Sequence, residues 1–84
     1  MEWEFYSPEQ GIRIRDYLLE KGEMIGNHHD KDGNKAEAFH YNSATVILKQ
    51  KNEEVIALNV DSASANYSIR TYYELNRIAV DKWR

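Results

Sequence analysis

Residues able to bind a transition metal concentrate in one stretch of the chain: His28-His29-Asp30, with Asp32 just beyond and His40 farther on. Imidazole nitrogens and carboxylate oxygens are ordinary ligands of divalent metals. His28, His29, Asp30 and Asp32 are therefore the candidate ligands of a metal- or His-dependent site acting on a small or nucleic-acid substrate, provided the loop folds back on itself. If His28 and His29 lie on a strand, they point to opposite faces and cannot chelate one ion.

The overlapping run Asp30-Lys31-Asp32-Gly33-Asn34 has the opening of an EF-hand calcium loop, with oxygen ligands at its first, third and fifth positions. The pattern then fails. Lys35 stands where the sharp turn needs glycine, and Tyr41 stands where a bidentate glutamate belongs. The same residues make a plain hairpin turn. Nucleophilic catalysis has less support, because the chain contains no Cys, no G-x-S-x-G elbow and no G-x-x-x-x-G-K-[ST] loop. A non-enzymatic protein without a cofactor is the expectation.

Binding offers more. Six Tyr and two Trp among 84 residues exceed what the core of so small a domain needs, and these types dominate interface hot spots. Tyr17 and Tyr67 fall off the apolar faces of their segments and are expected to be at least partly exposed. Glu9, Asp16 and Glu20 line one stripe of a helix, a surface suited to a basic partner or a plain solvated face whose Glu9 complements the helix dipole. A net charge of −3 argues against a nucleic-acid partner. The charge is uneven, net −4 over residues 1–42 and +1 over 43–84.

The elements that must position these residues follow from pattern. The central feature is a hairpin: Ala44–Gln50 and Val55–Val60 are β-branched and aliphatic runs flanking Lys51-Asn52-Glu53-Glu54. A two- or four-residue loop pairs Ile47 with Leu58, and a three-residue loop pairs Val46 or Leu48 with Leu58. The pattern leaves that register open, because either buries useful residues. Ile56, Leu58 and Val60 are expected to share a face, and apolar residues on both faces imply cover on both sides, at least in part.

Before it, Met1–Tyr6 alternates Trp3 and Phe5 against Glu2 and Glu4, as a half-buried strand or packed arm would. Ser7-Pro8-Glu9-Gln10 is a helix start with a capping box. It predicts a helix over Pro8–Lys21, ended by Gly22 in the left-handed conformation, with Gly11, Ile12, Ile14, Leu18 and Leu19 on its apolar face. A second hairpin is expected from Met24–His29 and Lys35–Tyr41, with Phe39 and Tyr41 facing in, His40 opposite Met24, and Asn42-Ser43 turning into the central hairpin.

After the caps of 62–66, Tyr67–Arg84 winds as a helix with Ile69, Tyr72, Tyr73, Leu75, Ala79, Val80 and Trp83 on an arc of roughly 160°. Alternation of Tyr67, Ile69, Thr71 and Tyr73 would also suit a strand, but the arc continues unbroken through Trp83. Asn76 falls within the arc, as a buried amide or as a polar residue fixing a helix-mediated dimer. Arg70 and Arg77 are expected to pair with Glu74 and Asp81.

These elements make one α+β domain over 1–84: a small antiparallel sheet of three to five strands with an N-terminal and a C-terminal helix packed on it. Without cysteine, signal pattern or membrane-length apolar run, a cytoplasmic location is expected. The functional expectation is a small acidic protein-binding module, a regulator or inhibitor that can also form a homodimer. Phages and mobile elements commonly carry accessory proteins of this kind.

Overall fold

The computed structural model describes residues 4–80, with side chains from Tyr6 onward. Its elements in order are β1 (Glu4–Phe5), α1 (Pro8–Lys21), β2 (Glu23–His29), β3 (Asn34–Tyr41), β4 (Ala44–Lys51), β5 (Glu54–Asp61) and α2 (Ala65–Val80). The fold is α+β. The five strands form one antiparallel sheet in the order β1-β5-β4-β3-β2. The expectations for Glu2, Trp3, Asp81, Trp83 and Arg84 lie outside the described residues.

The first helix starts as its residues require. The Ser7 hydroxyl accepts from the Gln10 backbone N–H, the Gln10 side chain accepts from that of Ser7, and Pro8 opens the first turn. Its end differs from expectation, because Gly22 is extended at φ −101° rather than left-handed. A Cβ at Gly22 would stand 3.0 Å from the Leu18 carbonyl and 3.3 Å from that of His40. The glycine is needed for close approach to β3.

Both tight hairpins use two-residue turns in which each central residue has positive φ: 51° and 60° at Asn42-Ser43, 51° and 70° at Asn52-Glu53. This is the turn that matches strand twist, and it favours glycine. Glu53→Gly is accordingly expected to raise stability by about 1 kcal/mol, read as a higher urea midpoint.

The open register of the central hairpin is settled by a bulge. The two-residue turn pairs Lys51 with Glu54 and Gln50 with Val55, yet Leu48 lies opposite Leu58 because β5 bulges at Ile56. The bulge also moves Val55, rather than Ile56, onto the buried face with Leu58 and Val60. A second bulge, at Ile25, places His40 opposite Glu23 and Phe39 opposite Met24, one step from a regular hairpin.

Both helices cover the same sheet face, where Ile14, Leu18 and Leu75 meet Phe39, Val46, Leu48 and Leu58 in one core. The helices cover one face only, yet the opposite face is partly buried as expected: Ala38 and Ile47 are half-buried there and Ala57 and Asn59 are buried. The helices run antiparallel: Arg13 of α1 donates to the Ala79 carbonyl of α2 at 2.8 Å, and the Tyr17 hydroxyl reaches Glu74 at 3.4 Å.

The C-terminal segment is helical, but α2 is rotated from its expected setting. Its buried residues are Thr71, Leu75 and Ala79. Ile69, Tyr73 and Val80, expected to face inward, are 65%, 69% and 62% exposed. Asn76 is exposed and accepts a hydrogen bond from the Tyr6 hydroxyl, so it is not a buried core amide.

Candidate functional site

Two polar clusters hold the helices on the sheet. In the first, the Glu37 carboxylate lies on the buried face of β3, only 2% exposed. Arg15 of α1 clasps it through two nitrogens at 2.7 and 3.1 Å, Gln50 of β4 donates to it, and the Lys35 ammonium stands 3.5 Å away. Burial alone would raise the pKa of Glu37. The hydrogen bonds from Arg15 and Gln50, with the charges of Arg15 and Lys35, outweigh that and hold it below the usual carboxylate range. The site is saturated: a carboxylate so clasped is a poor proton acceptor.

The second cluster joins both helices, β3 and the β3–β4 turn. Glu74 of α2 accepts from the Tyr41 hydroxyl at 2.6 Å and from the Asn42 amide at 2.8 Å, while Tyr17 and Tyr41 bond through their hydroxyls. Burial, then the hydrogen bonds to Glu74 and Tyr17, push the Tyr41 phenol far above its ordinary value. A phenol that resists ionisation is no nucleophile. This arrangement overturns the expected Arg70–Glu74 pair, because Glu74 has turned towards the sheet. Arg70 and Arg77 are in no ion pair among the described residues.

Beside this cluster the outer side of α2 and the β3–β4 turn enclose a groove of about 540 Å³, lined by Asn42, Ser43, Tyr67, Ile69, Arg70, Tyr73, Glu74 and Arg77. Exposed aromatic and aliphatic side chains flanked by arginines form a hot-spot composition. Of the residues singled out from sequence, Tyr67 is exposed and lines this groove. Tyr17 is half-buried, its ring edge-on to Tyr41 with centroids 5.5 Å apart, and it serves the internal cluster. Glu9, Asp16 and Glu20 are exposed on α1, Glu9 bonded to Arg13 at 2.6 Å.

His28, His29, Asp30 and Asp32 are not brought together. His28 and His29 are consecutive strand residues paired with Ala36 and Lys35, so they point to opposite faces. The Asp30 carboxylate accepts from the Asn34 side chain and from the backbone N–H groups of Asn34 and Asp32, contacts that lower its pKa and close the turn. Among the described residues no three His, Asp or Glu side chains converge to hold a metal ion, and no helix is long and apolar enough to cross a membrane.

Sequence reasoning missed Ile69, Tyr73 and Val80 as surface residues. The signal was present, because a helix lying on a sheet beside another helix buries a stripe closer to 100° than to 160°. A wider arc must leave part of itself outside. No protein-family model matches the chain, and comparison with curated proteins and with solved structures gave no match.

Proposed function

We propose that this chain is a non-enzymatic protein-binding module, a regulator or inhibitor that acts by occupying a partner through the outer side of its helix layer. One observation carries the reading: α2 turns Ile69, Tyr73 and Val80 outward, three large apolar side chains on one exposed side of the helix. Clustered large apolar side chains exposed beside arginines favour a protein contact. The polar clusters support the same reading, since both are internally satisfied and brace the helices without offering an activated group.

A photo-crosslinking residue at Tyr73, compared with one at His40 on the other sheet face, tests this in living cells. Protein adducts are expected from position 73 and not from position 40. Adducts from position 40 alone, or from neither, overturn the reading.

A further inference from the structure

We infer that the occupant of this face is a second copy of the chain, docked about a twofold axis running along the helix pair, so that α1 of each copy lies on α2 of the other. The inference rests on the binding-face reading above and names its partner. A twofold axis parallel to two adjacent helices exchanges their lateral positions and preserves height along them, so only side chains at matching heights on the two helices meet.

The internal contacts fix those heights. Arg13 is level with Ala79, and Tyr17 with Glu74. With antiparallel helices rising about 1.5 Å per residue, Leu19 is level with Tyr73 and Ile12 with Val80. Asp16 falls within a turn of Arg77, and Glu20 within a turn of Arg70. Ile12 and Leu19 are themselves 51% and 48% exposed, so apolar would meet apolar and acid would meet arginine.

The lateral order agrees. On α1, Arg13 and Tyr17 face α2, the acidic stripe lies outermost, and Ile12 and Leu19 lie on the flank away from α2. On α2, Glu74 faces α1, Arg70 and Arg77 stand a turn on either side of it, and Tyr73 and Val80 lie about 100° farther round. The twofold therefore places both arginines over the acidic stripe and both apolar flanks together. This complementarity between the two outer helix faces makes the surface isologous. It also gives a structural use to the acidic front half and basic rear half of the chain.

Light scattering and sedimentation equilibrium on the full chain, over a concentration series, test the arrangement. Wild type is expected at twice the chain mass. Asp16→Arg with Glu20→Arg, and separately Arg70→Glu with Arg77→Glu, should each weaken the dimer by about tenfold or more. An equimolar mixture of the two doubly substituted chains should restore the double mass, which loss of folding could not do. Tyr73→Asp should give a folded monomer by circular dichroism. A monomeric wild type, or a dimer indifferent to both charge reversals, overturns the inference. If that monomer still yields a foreign adduct from position 73, the binding-face reading stands and only the second copy is wrong.

Discussion

Gly11→Ala is expected to lower stability by about 3 kcal/mol, although helix propensity alone would credit it with a gain of about 1 kcal/mol. A Cβ at Gly11 would stand 2.6 Å from both the Cβ and the carbonyl oxygen of Val55. A backbone oxygen inside the sheet cannot move aside as a flexible side chain can. Helix α1 must therefore lift from β5, loosening Ile14 and Leu18 in the core. Urea denaturation measures the effect. Stability unchanged or improved in Gly11→Ala would mean that α1 does not seat on Val55.

Glu37→Gln should cost about 2 kcal/mol, the scale of a buried hydrogen-bonded charge. The amide keeps the shape of the side chain but leaves Arg15 facing a neutral group. Since Arg15 is 32% exposed, it can turn partly to water, which keeps the loss below that of a fully buried pair. The pH dependence has a definite sign. The carboxyl pKa is lowered in the folded protein, so its contribution is complete above its ordinary value of 4.5 and is lost as pH falls through that value towards the lowered one. Wild type should lose stability in that acid range, and Glu37→Gln should lose less. The exposed Asp30, also lowered, adds a residual slope of the same sign to both. Equal slopes in the two proteins would show that Glu37 carries no such linkage.

The placement of Glu37 illustrates what pattern could and could not supply. Glu37 shares the core face of β3 with Phe39 and Tyr41, as strand alternation requires. Its partner lies 22 residues away on α1, and no local pattern joins the two. The same holds at Glu74, where helical spacing to Arg70 suggested an ion pair and the tyrosines of α1 and β3 took the carboxylate instead. Local spacing lists the candidates, and the three-dimensional neighbours choose among them.

The amino-acid sequence by itself determined the helix start at Ser7-Pro8, the span Pro8–Lys21, the presence of the two hairpins, and the α+β class. Each follows from interactions among residues a few positions apart: a cap, a turn dihedral, a period of 2 or 3.6. Only the tertiary structure decided that Leu48 lies opposite Leu58, that Gly22 is extended, and that α2 buries Thr71, Leu75 and Ala79 while Ile69, Tyr73 and Val80 face out. A bulge at Ile56 puts Val55 rather than Ile56 on the core face without changing the turn. The setting of α2 depends on which side of an over-wide apolar arc finds space between α1 and β5. Those outcomes are set by packing between elements far apart in the chain, and the proposed binding face is a product of the same packing.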